Sequence, residues 1–279
     1  MRAGTVTPLP VIGPAPLRQG IHAVVADTAR PFGRHSHDQF GFGLIRRGAQ
    51  KSASGRGPVE AGAGDLITVN PGEVHDGSPL GDGGRAWQML YLDPAIVSGL
   101  LAGLDGPDRQ REFERPVLHR PQLTGPFLSV FTALTAGPDP AASDLSALSA
   151  EERLIPLLAG LLTPVRPPDW APDRSAGRII AARRRIDDDP AAPLTLEELA
   201  AEAGMSRFHL IRAFRHQTGL TPHAYLVQRR VHLARRMIQQ GTPLAETAAA
   251  CGFADQSHMT RQFARTFGAA PGAFARLRP

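Results

Sequence analysis

The C-terminal part of the chain contains one sequence pattern twice, and this duplication limits what the region can fold into. Residues 206–214 align with residues 255–263 at a constant offset of 49 positions, and the match extends beyond both segments. The matched pairs are His209 and His258, Arg212 and Arg261, Phe214 and Phe263, Gly219 and Gly268, Pro222 and Pro271, and Tyr225 and Phe274. A fixed period with matched glycine, proline and aromatic positions indicates a duplicated supersecondary unit.

The first copy has the signals of two short helices joined by a tight turn. Thr195 and Glu198 form a capping box, which predicts that a helix begins there. Gly204 can adopt the left-handed conformation that ends this helix, and Ser206 can cap the next one. The first copy therefore predicts a helix-turn-helix unit.

The second copy repeats this plan with different capping residues. Thr242 is the predicted N-cap, Pro243 the first helical position, Gly252 the turn and Asp255 the cap of the next helix. In both copies the second helix has an outward face that carries an arginine. The outward residues are Arg207, Phe208, Ile211 and Arg212 in the first copy, and Gln256, Ser257, Thr260 and Arg261 in the second.

Two further helices complete the predicted C-terminal region. One over residues 175–188 leads into the first unit, with Ile179, Ala182 and Ile186 facing inward. A long one over residues 221–240 joins the two units, and Gly241 ends it. A rigid connecting helix fixes the distance between two helix-turn-helix units.

Three segments carry a resemblance to a known family. Residues 194–206, 214–222 and above all 251–271 resemble the AraC/XylS family of bacterial transcription regulators. The resemblance implies that the two units enter adjacent major-groove segments of double-stranded DNA, about 34 Å apart along the duplex. It also implies a set of DNA-binding residues at the matching positions: Arg207, Phe208, His209, Ile211, Arg212, Gln256, Ser257, His258, Thr260 and Arg261.

The residue types at these positions indicate what each side chain would contact in the major groove. Arg212 and Arg261 can each form a bidentate pair with guanine, worth about 1–3 kcal/mol of discrimination, and Gln256 suits adenine. Apolar contact with thymine methyl groups is expected from Phe208, Ile211 and Thr260. Backbone or mixed contacts are expected from Arg207, His209, Ser257 and His258. The alternative for any one arginine is a phosphate contact, which fixes register without reading sequence.

Charge and composition agree with such a partner. Residues 174–279 hold 16 arginines and 8 acidic residues, a net charge of +8, whereas residues 1–173 carry a net charge of −3. A basic region that coincides with the duplicated motif is the electrostatic footprint of nucleic-acid binding. The chain has a single cysteine, Cys251, no apolar run of membrane-spanning length and no signal-peptide pattern at its start, so we expect a cytoplasmic protein.

The N-terminal half has a different pattern, of short β runs separated by glycine and proline. The expected strands lie near residues 21–26, 40–45, 65–69 and 86–92. Such spacing predicts an antiparallel barrel or jelly roll. The fold class is therefore an α+β multidomain protein, with an N-terminal barrel, trailing helices and a C-terminal all-α domain.

Histidines mark a candidate site on this barrel. His35 and His37 would share one face of a strand, and His75 follows the strand-and-turn segment 64–75. This arrangement resembles the cupin fold, and in particular the effector-binding domain found at the N-terminus of many AraC-type regulators. Metal-binding cupins add a glutamate, but that position falls near Gly41 or Phe42 here and carries no carboxylate.

The histidines leave three interpretations open. In the preferred one, His35, His37 and His75, with Glu73 or Asp76, line an effector pocket at the mouth of the barrel. Trp87 and Tyr91 share a face of their strand, so they join the tentative effector-binding set, although plain core aromatics are the alternative. In the second interpretation the three histidines bind Zn²⁺. In the third they are hydrogen-bonded strand-end residues without a ligand. We expect no required metal.

Helical patterns follow the barrel. One run spans residues 121–134 and a second spans about 143–162, where Pro156 should kink or divide the helix. The family resemblance suggests a dimer interface here, and packing on the barrel itself is the alternative. The Pro-rich linker is expected at residues 164–173, between an effector-binding and dimerisation domain (1–163) and a DNA-binding domain (174–279).

These observations predict a non-enzymatic, sequence-specific transcription regulator that a small-molecule effector controls. The expected partners are DNA, the effector, a second copy of the chain and, for an activator, RNA polymerase; no membrane partner is expected. One alternative is an effector-free regulator whose barrel only dimerises. The other is a metal-dependent cupin enzyme, which would need the missing carboxylate and leaves the duplicated motif unexplained.

Overall fold

A computed structural model of the chain describes residues 11–12, 20–102, 110–135, 143–165 and 174–276. The chain forms two compact units: residues 37–166 group with residues 1–31, and residues 167–278 group with the short segment 32–36. The strand-rich part of the chain, residues 11–165, is named the N-terminal unit, and the helical part, residues 174–276, the C-terminal unit. Residues 166–173, most of the predicted linker, lie outside the described residues, as does most of the Pro- and Gly-rich start of the chain.

The N-terminal unit is built mainly from short antiparallel strands. Its strands are β1 (Val11–Ile12), β2 (Ile21–Thr28), β3 (Phe32–His35), β4 (Phe40–Arg47), β5 (Ala49–Ser54), β6 (Gly57–Gly62), β7 (Leu66–Val69), β8 (His75–Pro79), β9 (Arg85–Leu92), β10 (Arg111–Phe113), β11 (Val117–Leu118) and β12 (Leu162–Pro164). All four strands predicted from the sequence are present.

Among the described residues, these strands form two main sheets and a two-stranded ribbon. The larger sheet has the order β1-β2-β9-β4-β7-β11, and the smaller has the order β3-β8-β5-β6. Neighbouring strands such as β2 and β9, or β4 and β9, pair antiparallel over most of their length. The predicted antiparallel β domain is therefore confirmed.

Strand β4 shows how the larger sheet separates its two faces. Phe42 is fully buried and packs its ring against Phe127, with ring centroids 5.9 Å apart. Gly41 belongs to the opposite face, where a β-carbon would come within 2.8 Å of the Tyr91 ring on β9. The glycine therefore leaves room for Tyr91 on the face opposite the helices.

Helices cover the Phe42 side of this sheet. They are α1 (Pro94–Leu101), α2 (Thr124–Thr135), preceded by a 3₁₀ turn at Pro121–Leu123, and α3 (Ser143–Leu161). The hydrophobic core joins β2, β4, β7 and β9 to all three helices.

Helix α3 continues through Pro156, so of the two expected outcomes, a kink or a division, the helix is not divided. A proline inside a helix costs about 3 kcal/mol, since it removes one hydrogen bond and clashes with the preceding turn. Burying one leucine side chain stabilises by about 1.5–3 kcal/mol. Four leucines around this position are buried and together offset that cost: Leu154, Leu157, Leu158 and Leu161.

The described part of the C-terminal unit is all-α. Its helices are α4 (Arg174–Asp188), α5 (Leu196–Glu202), α6 (Arg207–Thr218), α7 (Pro222–Gln240), α8 (Leu244–Ala250), α9 (Gln256–Phe267) and α10 (Pro271–Ala275). Helices α5 and α6 form the first helix-turn-helix unit, α8 and α9 form the second, and α7 connects them.

Most predicted helix ends in this unit are confirmed. The capping box is present, with the Thr195 hydroxyl accepting from Glu198 N–H and the Glu198 carboxylate accepting from Thr195 N–H. Gly204 and Gly241 both have positive φ, as left-handed helix ends require. The start of α8 differs by one position from the expectation: Pro243, not Thr242, is the N-cap, and the Thr242 carbonyl accepts a hydrogen bond from the Thr247 hydroxyl.

Candidate nucleic-acid interface and effector site

Helices α6 and α9 are held against their unit by fully buried side chains. Leu210 and Phe214 of α6, and Met259 and Phe263 of α9, each have 0% exposure. Pairs spaced four residues apart lie on one face of a helix. Each helix therefore turns its remaining faces away from its own core.

Both helices begin with a side-chain cap. The Ser206 hydroxyl accepts from His209 N–H at 3.3 Å, and the Asp255 carboxylate accepts from His258 N–H at 2.6 Å. Each helix ends at a left-handed glycine, Gly219 or Gly268. The two candidate recognition helices thus have the same length and the same kinds of ends.

The outward face of α6 carries an aromatic and a cation in contact. Phe208 is 63% exposed, and the Arg212 guanidinium lies over its ring, 5.6 Å from the centroid. Arg207 and His209 are also exposed, while Ile211 is half-buried. A single exposed apolar side chain is ordinary on a protein surface, so Phe208 is a candidate contact because it lies on the predicted recognition face.

The outward face of α9 is more polar. Gln256, Ser257 and Arg261 are exposed, and Thr260 is half-buried. His258 packs its ring edge-on against Phe253, with centroids 5.4 Å apart, so it faces partly inward. The structure thus presents all ten predicted DNA-binding residues on two helices of this unit, although their base contacts remain predictions.

A cleft of about 440 Å³ lies beside α6. It is lined by Arg178, Gly204, Met205, Ser206, His209, Arg212 and Ala213. Arg178 comes from α4 and is exposed, so it adds a positive charge to the side of the candidate interface. Sequence reasoning missed this residue because α4 lies outside the duplicated motif.

An ion cluster docks α4 on the connecting helix. The Tyr225 hydroxyl donates to the Asp187 carboxylate at 2.8 Å, and the Arg183 Nε donates to the Tyr225 oxygen at 3.0 Å. Arg229 adds an ion pair with Asp187 at 2.9 Å. Burial raises the pKa of Tyr225 to about 12, so the phenol stays protonated and keeps donating at neutral pH. This cluster joins α4, the helix before the first helix-turn-helix unit, to α7.

The structure brings the three predicted histidines together. His35, His37 and His75 each offer a ring nitrogen, and these atoms lie within 4.8 Å of one another. The rings of His37 and His75 are 5.2 Å apart, and Tyr91 packs against His37 at 4.9 Å. The prediction that His35 and His37 share one face of a strand is wrong, because β3 ends at His35 and His37 lies beyond it.

Hydrogen bonds fix the tautomer of two of these rings. A carbonyl oxygen can only accept, so Nδ1 of His35 donates to the Gly33 carbonyl at 2.7 Å, and Nδ1 of His75 donates to the Glu73 carbonyl at 3.1 Å. Burial lowers the pKa of His75, which favours the neutral ring. In a neutral ring protonated at Nδ1, Nε2 carries an acceptor lone pair.

The other tentative effector residues have different surroundings. The Glu73 carboxylate accepts from the backbone and side-chain amides of Asn70, both at 3.2 Å, so it holds its own turn. Asp76 accepts from Ala53 N–H at 2.7 Å in the same way. Trp87 lies under the Arg85 guanidinium, 4.7 Å from the ring centroid. Tyr91 packs against the ring of His37 and so belongs beside the histidine cluster.

Arg85 is a buried cation that sequence reasoning did not single out. It is 1% exposed, and its Nε donates to the Gln50 side chain at 2.9 Å while Nη2 donates to the Gly77 carbonyl at 3.2 Å. Burial lowers its pKa to about 10, which still leaves it charged at neutral pH. The one sequence signal was an arginine at the start of an otherwise apolar strand.

Two family models match the chain. A helix-turn-helix domain model covers residues 199–277, and an AraC-like ligand binding domain model covers residues 23–158. The two matches fall on the two structural units just described.

Individual proteins agree with these models. The chain is 26% identical over 231 residues to the uncharacterized HTH-type transcriptional regulator YbfI of Bacillus subtilis. The aligned region covers 82% of this chain and 81% of YbfI. The chain is 31% identical over 87 residues to the multiple antibiotic resistance protein MarA of Salmonella typhimurium, covering 31% of this chain and 68% of MarA. A crystal structure of ToxT from Vibrio cholerae with a bound unsaturated fatty acid has the same fold, with a TM-score of 0.56 at 14% identity over 94% of this chain and 96% of ToxT.

Proposed function

Because the chain belongs to the AraC family of transcriptional regulators, we propose that α6 and α9 read two adjacent major-groove segments of double-stranded DNA. The observation that carries this proposal is the pair of equivalent helices, each capped, buried on one side and polar on the other. A duplicated reading element joined by one helix suits a site of two segments about one helical turn apart.

Arginine chemistry is the basis for sequence preference. Arg212 and Arg261 are both exposed and occupy matched positions of the two helices. Each suits a bidentate contact with guanine O6 and N7, and Gln256 suits adenine. Phe208, Ile211 and Thr260 supply apolar surface for thymine methyl groups, and Arg207, His209, Ser257 and His258 supply backbone contacts.

The chain has an N-terminal ligand-binding domain, and we propose that its effector contacts the cluster of His35, His37, His75 and Tyr91. The Nδ1 atoms of His35 and His75 donate to backbone carbonyls, and burial lowers the pKa of His75, which favours its neutral ring. A ligand that donates hydrogen bonds, such as a hydroxyl-bearing small molecule, complements neutral imidazoles. The neighbouring ToxT was crystallised with an unsaturated fatty acid, so a carboxylate ligand is the second chemistry to test.

The same rings are the place to test for a metal. Three nitrogens within 4.8 Å suit a divalent ion such as Zn²⁺. The carboxylate of metal-binding cupins is absent at its position, where Gly41 faces Val69 and Tyr91. We therefore propose the effector, with no required metal, as the occupant. Stoichiometric metal in purified protein that His75→Ala abolishes would overturn this choice.

Other expectations extend the proposal. A homodimer through the helices of the N-terminal unit, and contact with RNA polymerase in an activator, would fit a regulator of this kind. Among the residues that the structure describes, no helix is long and apolar enough to cross a membrane. We expect the protein to act in the cytoplasm, where its DNA lies, and without catalysis. An effector-free regulator whose barrel only dimerises is the alternative, and calorimetry with a metabolite panel discriminates the two.

Capture of sheared genomic DNA by the purified full-length chain tests the main proposal. Enrichment of promoter fragments that share two half-sites about one helical turn apart is the expected result. The matched control is the double variant Arg212→Ala, Arg261→Ala, which should lose the shared sequence while it retains weak binding through the remaining positive charge. Equal, non-selective capture by both proteins would contradict sequence-specific binding.

A further inference from the structure

Arg230 lies on the connecting helix α7 and joins three carbonyl groups. Its Nε donates to the Pro190 carbonyl at 2.8 Å and its Nη2 to the Ala192 carbonyl at 3.0 Å. Its Nη1 donates to the Gly252 carbonyl. A guanidinium presents its donors in a fixed planar fork, so three simultaneous bonds hold the acceptors in one geometry.

The three acceptors come from the loop that leads into the first helix-turn-helix unit and from the turn of the second unit. Pro190 and Ala192 lie in the loop between α4 and α5, directly before the first unit. Gly252 lies in the turn between α8 and α9, within the second unit. Arg230 is half-buried, and burial lowers its pKa. A cation that has left part of its water requires the carbonyl bonds, so this contact resists opening.

Gly252 brings the turn of the second unit against the α4–α5 loop, which leads directly into the first unit. Its φ is +74°, and a β-carbon there would lie 2.8 Å from the Ala191 carbonyl oxygen and 3.0 Å from Arg230 Cζ. Glycine alone satisfies both the left-handed conformation and this close approach. Residues 190–192, Arg230 and Gly252 are called the joint below.

The first unit shows that the joint is not a requirement of the helix-turn-helix plan. Gly204 occupies the matching turn, with φ +58°, and no atom lies within 4 Å of a β-carbon built on it. Both turns therefore require glycine for backbone conformation. The packing around Gly252 is an addition that links one unit to the other.

We propose that the joint fixes the relative orientation of α6 and α9, with Arg230 as a positioning residue that sets the half-site spacing the protein accepts. This inference rests on the proposed DNA recognition by both helices. Each unit also contacts α7 on its own. The Phe214 ring of α6 lies 5.5 Å from the Tyr225 ring, and the second unit shares the core around Val231 and Ile238. The joint adds a direct connection, so that rotation of one unit about α7 would break bonds to the other.

The test uses the full-length protein and the variant Arg230→Lys. Lysine keeps the charge that attracts phosphates but, as a single ammonium, cannot span three carbonyls in one plane. Arg236→Lys is the matched control, because Arg236 is exposed on the same helix. Circular dichroism and thermal unfolding establish that each protein is folded, and Arg230→Gln, which keeps amide donors without charge, replaces a lysine variant that does not fold.

The first readout needs no DNA. Spin labels at Arg215→Cys and Arg265→Cys, exposed positions in the last turns of α6 and α9, report the distance between the two helices. Cys251 is buried and burial raises its pKa to about 11, which keeps it from competing for the label. We expect the distance distribution to widen about twofold in Arg230→Lys and to stay unchanged in Arg236→Lys.

The second readout is affinity for duplexes whose two captured half-sites are separated by different numbers of base pairs. Wild type should show one sharp optimum, and Arg230→Lys should bind the optimal duplex about tenfold more weakly, as expected from the loss of one or two hydrogen bonds. Its preference for that spacing should also flatten. An Arg230 variant with an unchanged distance distribution and spacing profile would overturn the inference. If wild-type affinity does not depend on the second half-site, two-helix recognition fails, while the spin-label distances still decide whether the joint holds the units together.

Discussion

The two helix-turn-helix units of this chain share a scaffold and differ in the surface that scaffold presents. Each second helix has a side-chain cap, two fully buried residues four apart and a left-handed glycine at its end. Their outward faces differ, because α6 exposes Phe208 against Arg212 while α9 exposes Gln256 and Ser257. Both copies have thus kept a capped start, a buried apolar pair and a glycine end, while most residues available to a partner differ; Arg212 and Arg261 are the identical exposed pair.

This difference teaches which positions serve the fold and which serve recognition. Buried and capping positions tolerate few residue types, so matched pairs such as Phe214 and Phe263 remain identical. Exposed positions contribute little to stability and can diverge. Matched substitutions in the two units should therefore give equal effects at scaffold positions and unequal effects at recognition positions.

The largest expected effect is loss of a core phenylalanine. Phe214→Ala and Phe263→Ala should each lower the free energy of unfolding by about 3–5 kcal/mol, because both rings are fully buried. Phe208→Ala is the control, and its 63% exposure predicts a change within about 0.5 kcal/mol. Urea denaturation measures all three, and a loss below about 1 kcal/mol in one core variant would show that the two units are not packed alike.

Substitution of the two turn glycines should lower the free energy of unfolding by unequal amounts. Gly204→Ala should cost about 1–2 kcal/mol, the ordinary penalty for a β-carbon in the left-handed region. Gly252→Ala should cost about 3 kcal/mol or more, since the β-carbon also meets the Ala191 carbonyl at 2.8 Å. Thermal unfolding of the two variants side by side checks the order, and equal losses would mean that the α4–α5 loop moves away freely.

Substitution of the two matched arginines should lower DNA affinity by similar amounts but should relax base preference at different positions. Arg212→Ala and Arg261→Ala should each weaken binding by about 1–3 kcal/mol and relax base preference at one position, a different one for each helix. Selection of randomised duplexes, with Arg215→Ala in the last turn of α6 as control, reads out both effects. A uniform loss over all sequences would identify phosphate contacts instead.

Sequence reasoning was most successful where the signal is local. The capping box of Thr195 and Glu198, the caps Ser206 and Asp255, and the glycine ends all appear as predicted. These signals work because a cap bonds to a backbone amide three residues away, so the whole interaction lies within one short segment. The α8 start differed by one residue, since a Thr-Pro pair offers two adjacent capping arrangements.

Features that depend on tertiary packing were predicted less well from the sequence. Pro156 was expected to kink or divide α3, and the helix is not divided, because the leucines buried around it offset the local penalty. His37 joins His35 and His75 although it lies beyond the end of β3, so the cluster was predicted for the wrong geometric reason. Arg85 and Arg230 could not be found at all, because their partners are carbonyls from distant segments and carbonyls leave no mark in a sequence.

The smallest expected effects on stability come from substitutions of the two N-cap residues, Ser206 and Asp255. Ser206→Ala and Asp255→Ala should each cost about 1 kcal/mol of stability, because each leaves one helix amide without its acceptor. Asp255→Asn should cost only a few tenths, since the amide oxygen still caps the helix. Under the proposed function, it should also raise DNA affinity at low salt, because it removes a negative charge next to a phosphate-facing helix. Thermal unfolding and salt-dependent binding of the three variants separate the scaffold role of Asp255 from its electrostatic one, and unchanged affinity in Asp255→Asn would place the start of α9 away from the phosphates.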